Sequence, residues 1–197
     1  MPYELLTSLA LFAFVSSITP GPNNLMLMAS GANFGFRRTI PHLLGVSLGF
    51  VFMASLLGTG LITLFDAFPI TYVILKIVSI VYLLYLSWKI ATAASNNSSN
   101  TAGKPLTFLQ AASFQWVNPK VWAMAITVIS VYAPERSLGA VLLVAVIFGA
   151  INFPSVALWT IVGQQMGRFL NNSKWLRLFN YFMALLLIGS LYPVIFD

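Results

Sequence analysis

The chain has 197 residues, of which 59% are hydrophobic and only 7% are charged. A soluble domain carries about 25% charged residues, so this composition excludes an ordinary soluble protein and indicates an all-α integral membrane protein. The formal net charge of +6 would suggest a nucleic-acid partner for a soluble protein. In a membrane protein, however, Lys and Arg mark the loops, and we expect no nucleic acid.

Six hydrophobic stretches follow one another and predict six transmembrane helices, because a span needs about 20 apolar residues. Their approximate limits are 4–29, 41–64, 69–91, 108–132, 138–163 and 175–196. The first four residues lack the basic region of a signal peptide, so we expect the first helix to be retained. The chain is short enough to form a single transmembrane domain over residues 1–197.

A polar run rich in Ser and Asn separates the third hydrophobic stretch from the fourth. Its composition predicts a flexible linker at about 95–105, with one repeat at about 1–94 and a second at about 106–197. Three helices in each half force the halves into opposite orientations across the membrane. The sequence therefore predicts two inverted three-helix repeats.

Each half begins with a hydrophobic stretch that proline interrupts, which predicts broken helices 1 and 4. The first interruption reads Thr19-Pro20-Gly21-Pro22-Asn23-Asn24, and the second reads Asn118-Pro119-Lys120. Proline lacks an amide N–H and clashes with the preceding helical turn. Broken helices at matching positions of inverted halves are typical of the binding site of a secondary transporter.

A broken helix offers free carbonyls to an ammonium group and a positive helix N-terminus to a carboxylate, and an amino acid presents both. The prolines could instead only kink a helix for packing. Lys120 could attract the substrate carboxylate, pair with carbonyls of the first break, or only snorkel towards the membrane surface. Asn152, beside Pro154 in the fifth stretch, either binds substrate or only bonds a neighbouring helix. The candidate substrate-binding residues are Pro20, Gly21, Pro22, Asn23, Asn24, Asn118, Pro119, Lys120 and Asn152.

The distribution of basic residues predicts the orientation of the chain. The loops after the first, third and fifth stretches contain or adjoin Arg37, Arg38, Lys89, Lys104, Arg168, Lys174 and Arg177. The opposite side carries only Arg136, together with the four acidic residues Glu4, Asp66, Glu135 and Asp197. Because basic loops face the cytoplasm, we expect both termini to lie outside.

Few residues could support other chemistry. With no cysteine and one histidine, thiolate metal sites and disulfides are excluded, and no metal or other cofactor is implied. No acidic residue lies in the middle of a hydrophobic stretch, so a carboxylate proton relay is missing. We interpret His42 as interfacial, and we expect Gly45 and Gly49 to support close helix packing.

These motifs resemble those of the lysine exporter (LysE/RhtB) family of amino-acid efflux proteins over essentially the full length. The segments that carry the resemblance are residues 19–24 with Gly31, then Gly35-Phe36-Arg37-Arg38, Gly45-Val46-Ser47-Leu48-Gly49, Trp88-Lys89 and Phe114-Gln115-Trp116-Val117-Asn118-Pro119-Lys120. The chain is most similar to the branch that exports cysteine and O-acetylserine, or homoserine and threonine. The resemblance implies a multi-pass exporter of the bacterial inner membrane, driven by an ion gradient, with H⁺ one candidate, or by the membrane potential.

Other classes of function remain in competition with export. A non-transporting membrane scaffold or assembly subunit is the main alternative, although continuous helices would be expected of it. An intramembrane enzyme would need a nucleophile and base, or a metal cluster, and we expect no catalytic residues. The small residues on the helix faces would permit a homodimer with lipid around it.

Overall fold

A computed structural model describes residues 1–93, 104–135, 137–170, 173–192 and 195. These residues form helices and turns, and no strand occurs among them. In chain order the helices are α1 (Tyr3–Ile18), α2 (Pro22–Phe34), α3 (Phe36–Leu56), α4 (Ile62–Ala67), α5 (Ile70–Thr92), α6 (Phe108–Phe114), α7 (Pro119–Tyr132), α8 (Leu138–Phe169) and α9 (Ser173–Gly189). The linker predicted at 95–105 lies outside the described residues except for its last two, and the division into two repeats stays a prediction.

The first interruption expected from the sequence separates α1 from α2, which meet at an angle of 58°. Thr19 has φ −61° and ψ 138°, and Gly21 has φ −179° and ψ 176°. Both precede a proline, which disfavours the helical conformation of the residue before it. Pro22 then begins α2, where its missing N–H costs nothing.

The second interruption is built in the same way. A single 3₁₀ turn, Gln115–Val117, follows α6, and Asn118 is extended with φ −97° and ψ 107°. Pro119 begins α7. Two proline-induced breaks of the same kind are therefore present, in the first and fourth hydrophobic stretches.

The helices are apolar enough for a membrane, but not all are long enough to cross it alone. By length and composition, three segments of the described chain qualify: α3 with α4 (Phe36–Phe65), α5 and α8. The bent pair of α1 and α2 makes a fourth. The second break divides the fourth hydrophobic stretch into α6 and α7, each too short to cross a membrane alone. α9, with 17 residues, is also short for a span. The count of six spans therefore stays a prediction.

Large apolar side chains cover the outside of the helices. On α5, Val73, Ile77 and Val81 repeat every four residues and are 51%, 56% and 62% exposed. One face of a helix carries residues at this spacing. Such a row belongs against lipid rather than water.

Polar residues form a layer between two apolar clusters inside the bundle. Cluster A includes Leu9, Ala13, Phe50, Val128 and Phe148, and cluster B includes Leu25, Leu27, Val46, Phe114 and Val156. Along α8 the chain passes from Phe148 in cluster A through buried Asn152 to Val156 in cluster B. The break after α1 likewise lies between Ala13 and Leu25. Both positions place polar groups at the same depth of the bundle.

Glycines bring the backbones of α2 and α8 into direct contact. A Cβ atom added at Gly31 would lie 2.1 Å from the Thr160 carbonyl oxygen. One added at Gly163 would lie 2.0 Å from the Met28 carbonyl oxygen. The packing role expected of Gly45 and Gly49 is confirmed, since their added Cβ atoms would lie within 2.8 Å of α6 backbone atoms.

We predict that Gly163→Ala destabilises the protein, because its methyl group would overlap the backbone of α2. Overpacking costs about 1–3 kcal/mol, and contact with backbone atoms places this variant at the upper end or prevents folding. The measurement is the fraction that remains monodisperse on size-exclusion chromatography after heating in detergent. Gly139→Ala on the same helix is the control, since nothing lies within 4 Å of its added Cβ. Equal heat resistance of the two variants would contradict the contact between α2 and α8.

Candidate transport site

The carbonyls left free where α1 ends are bonded by side chains from other helices. The Asn24 amide nitrogen donates to the carbonyl oxygens of Ser17 and Thr19, at 2.8 Å each. The Trp159 indole nitrogen on α8 donates to the carbonyl oxygen of Ile18 at 3.1 Å. Ser17 is buried and Ile18 is partly buried, and leaving a carbonyl unpaired in buried surroundings costs about 1–3 kcal/mol.

Lys120 completes this set from the second break. Its ammonium nitrogen donates to the Thr19 carbonyl oxygen at 2.7 Å and to the Pro20 carbonyl oxygen at 3.4 Å. Of the alternatives open for Lys120, the structure thus shows pairing with carbonyls of the first break. Gly21 allows this approach, because a Cβ there would lie 2.8 Å from the Lys120 Cδ atom.

Two further amides tie the breaks to neighbouring helices. Asn23 donates from its amide nitrogen to the Gln115 side-chain oxygen at 2.7 Å, and Gln115 donates back to Asn23 at 3.4 Å. Asn152 donates to the Ser17 hydroxyl and accepts from the Ser47 hydroxyl, both at 2.9 Å. The bond to a neighbouring helix expected as one alternative for Asn152 is therefore present.

A small polar cavity lies at the centre of these contacts. Among the candidate residues it is lined by Gly21, Asn23, Asn24, Asn118, Lys120 and Asn152. Its volume is about 20 Å³, and one water molecule needs roughly 10–15 Å³ of such space. In this conformation the central cavity therefore has room for about one water molecule and none for an amino acid.

The electrostatic character of the central cavity comes from backbone groups as well as side chains. Neither α2 nor α7 has a side chain that caps its N-terminus, so both positive helix ends remain available to an anion. The side-chain oxygen of Asn118 is buried and has no hydrogen-bond partner among the described residues. It is a free acceptor for an ammonium, hydroxyl or thiol group.

A larger cavity adjoins the central one and shares Asn118 and Lys120 with it. Its volume is about 500 Å³, which lies within the usual range for small-molecule pockets of roughly 300–1,000 Å³. Pro22 and Pro119 line it, and so does Lys76 on α5. Lys120 thus stands at the boundary between a small polar space and a large, mostly apolar one.

Some residues of this arrangement are not among the candidates derived from the sequence. They supply hydrogen bonds to the breaks or to Asn152: Ser17, Ser47, Gln115 and Trp159. Pro20 is exposed, and only its carbonyl takes part. His42, which we interpreted as interfacial, is covered by protein, since its side chain is 1% exposed; its depth in the membrane stays a prediction. It lies in the second turn of α3 with protein packed around it.

A bundle of apolar helices, with two broken helices that meet at an internal polar cavity, is typical of a membrane transport protein. The sequence profile of the LysE type translocator matches residues 14–190, and the chain belongs to this family.

Three similar proteins cover nearly the whole chain, and each is named as a cysteine/O-acetylserine efflux protein. A relative from Escherichia coli is 30% identical over 190 residues, which are 95% of this chain and 96% of the relative. One from Salmonella typhimurium is 30% identical over 186 residues, or 93% and 94% of the two chains. One from Shigella flexneri is 29% identical over the same 93% and 94%. No solved structure matches the chain.

We predict that Trp159→Phe lowers the melting temperature in detergent by several degrees. The variant keeps an aromatic ring but leaves the Ile18 carbonyl unpaired, which costs about 1–3 kcal/mol, and each kcal/mol corresponds to about 2–4 °C in a chain of this size. Trp175→Phe is the matched control, because Trp175 is 60% exposed. Equal melting temperatures for the two variants would argue against the bond between Trp159 and Ile18.

Proposed function

We propose that the chain is a secondary transporter that exports small amino acids or their derivatives from the bacterial cytoplasm across the inner membrane. In this proposal, six spans form two inverted three-helix halves with both termini outside. The halves alternate between inward-open and outward-open arrangements around the two breaks. The residues that contact substrate are those of the central cavity, with Lys120 as the principal one.

The observation that carries the proposal is the bond between Lys120 and the carbonyls of Thr19 and Pro20. A primary ammonium group occupies carbonyls that a broken helix has left free. The α-ammonium group of an amino acid has the same charge and the same hydrogen-bond donors. A substrate can therefore replace the Lys120 ammonium without leaving the carbonyls unpaired.

The displaced lysine then becomes available to the other end of the substrate. An ammonium group beside two uncapped helix N-termini favours a carboxylate, since both the lysine and the helix ends are positive. The free oxygen of Asn118 accepts a further hydrogen bond from the substrate. In the proposed complex, Lys120 and the ends of α2 and α7 hold the carboxylate, while the α1 carbonyls hold the ammonium group.

The relatives narrow the class of substrate within this chemistry. Each is named for efflux of cysteine and O-acetylserine, which are small amino acids with a short polar side chain. We propose substrates of this type, or the related homoserine and threonine. A cavity lined by the polar side chains of Asn23, Asn24 and Asn152 suits a short polar side chain better than a long apolar one.

The two cavities suggest how the site opens. The central cavity is too small for substrate, whereas the adjoining space of about 500 Å³ is not. This larger cavity reaches Lys76, six residues after the start of α5, at the end of the helix that the charge pattern places outside. Movement of Lys120 away from the carbonyls would join the two spaces and open a path to the exterior.

Uptake of labelled amino acids into inverted membrane vesicles tests the proposal. The panel is cysteine, O-acetylserine, serine, threonine, homoserine and lysine, each with and without an imposed pH gradient or membrane potential. We expect saturable uptake of a small neutral member, accelerated by one of the gradients. The absence of uptake for the whole panel under every gradient would overturn export of small amino acids and favour the scaffold alternative.

We predict that Lys120→Gln raises the KM for uptake at least tenfold or abolishes transport. Hydrogen bonds to charged groups contribute about 1.5–3 kcal/mol, and about 1.4 kcal/mol corresponds to a factor of ten. Lys174→Gln removes the same charge from an exposed position that lines neither cavity, and it should transport nearly normally. Membrane levels of both variants are compared by immunoblot. Normal transport by Lys120→Gln would show that Lys120 takes no part in substrate binding.

A further inference from the structure

A third cavity, separate from the transport site, lies at the opposite end of α2 from the break. Its volume is about 150 Å³, and its polar lining residues include Ser30, Asn33, His42, Lys89 and Lys104. It shares no lining residue with the central cavity or with the larger cavity beside Lys120. We call it the entry cavity.

His42 is the most informative residue of the entry cavity. It is 1% exposed, and neither of its ring nitrogens has a hydrogen-bond partner among the described residues. Buried polar groups are almost always paired, and an unpaired one costs about 1–3 kcal/mol. The other buried side-chain atom without a partner in the described chain is the Asn118 oxygen, which lines the transport site. Unpaired groups therefore occur beside two cavities, and a ligand or water belongs at both.

The charges around the entry cavity favour an anionic group. Lys89 near the end of α5 and Lys104 before α6 both line it. Among the described residues that line it there is no Asp or Glu, so no carboxylate of the cavity wall neutralises these two lysines. A ligand carboxylate would complete the site with charge-assisted hydrogen bonds.

Of the other polar groups, His42 suits the ammonium end of an amino acid. The Ser30 hydroxyl and the Asn33 amide line the same space, but they are already hydrogen-bonded, to Thr39 and to Asn180 respectively. A neutral imidazole offers an acceptor nitrogen to an ammonium group. By the same measure, the entry cavity of about 150 Å³ is several times larger than the central cavity of about 20 Å³, and it could hold roughly ten water molecules at 10–15 Å³ each.

We propose that the entry cavity is a second amino-acid site, where a small zwitterion binds before it reaches the central cavity. In this site Lys89 and Lys104 hold the carboxylate, and His42 accepts a hydrogen bond from the ammonium group. The cavity lies at the end of the bundle where the basic residues Arg37 and Arg38 begin α3. The inference rests on the proposed function, because that function makes this end the side from which substrate arrives.

The single histidine of the chain makes the site directly observable by nuclear magnetic resonance. The full-length protein, labelled with ¹⁵N in the histidine ring and purified in detergent, is titrated with O-acetyl-L-serine at constant pH. We expect a saturable change in the His42 ring signals. The carboxyl methyl ester of O-acetyl-L-serine should bind at least tenfold more weakly, because its carboxylate is blocked.

Four variants distinguish the entry cavity from the transport site. The double variant Lys89→Gln/Lys104→Gln should weaken the titration at least tenfold, whereas Lys89→Arg/Lys104→Arg should retain it. Lys76→Gln, at the other end of α5, is the matched control for loss of charge. Lys120→Gln should lose vesicle uptake and yet leave the His42 titration unchanged.

The outcomes separate the two proposals. Uptake of O-acetyl-L-serine without a saturable change at His42 would overturn the entry site and leave the exporter standing. A change that disappears in Lys120→Gln would also overturn it, since His42 would then report only on the transport site. A saturable change that needs Lys89 and Lys104, in the absence of any uptake, would support the entry site and overturn the exporter.

Discussion

The structure depends on how the carbonyls at the end of α1 are satisfied. Two prolines end the helix in apolar surroundings, where water is scarce and each unpaired carbonyl is costly. The carbonyls of residues 17–20 are bonded instead by three side chains: Asn24, Lys120 and Trp159. Because these side chains belong to α2, α7 and α8, the break joins helices from both ends of the sequence.

The same bonds connect stability to transport. A carrier must bind its substrate without leaving buried polar groups unpaired in either state. In the proposed mechanism, the tethered ammonium group of Lys120 meets this requirement, since the substrate takes the carbonyls that the lysine releases. The helix ends and the lysine would then both face the substrate carboxylate. Removal of Lys120 would therefore affect both the empty protein and the proposed complex.

A feature of the fold or of the candidate site could be predicted from the sequence where neighbouring residues cause it, and not where tertiary packing causes it. Proline acts on its immediate neighbours, so both breaks were predictable from residues 20–22 and 119. The contact of Lys120 with carbonyls was one of a few alternatives, because a cation in an apolar stretch must find a partner. Trp159 gives no local signal, since it is one of five tryptophans and only the packing of α8 selects it. The burial of His42 likewise depends on tertiary packing. It could not be predicted from the sequence, because the basic residues near His42 suggest an exposed position.

The glycine contacts connect this static arrangement to movement. α2 packs on α8, and α3 packs on α6, at glycines. A Cβ atom added at these glycines would lie only 2.0–2.8 Å from backbone atoms of the facing helix. In the proposed division, each pair joins one helix of the first half to one helix of the second. A surface without side-chain knobs has few interlocking ridges, so these two contacts resist sliding less than clusters A and B, in which side chains of both halves interlock. α2 runs from the transport site at Asn23 to the entry cavity at Ser30, about 10 Å along the helix at 1.5 Å per residue. A small displacement of α2 against α8 would therefore act on both cavities together, so a substrate could leave one as the other opens.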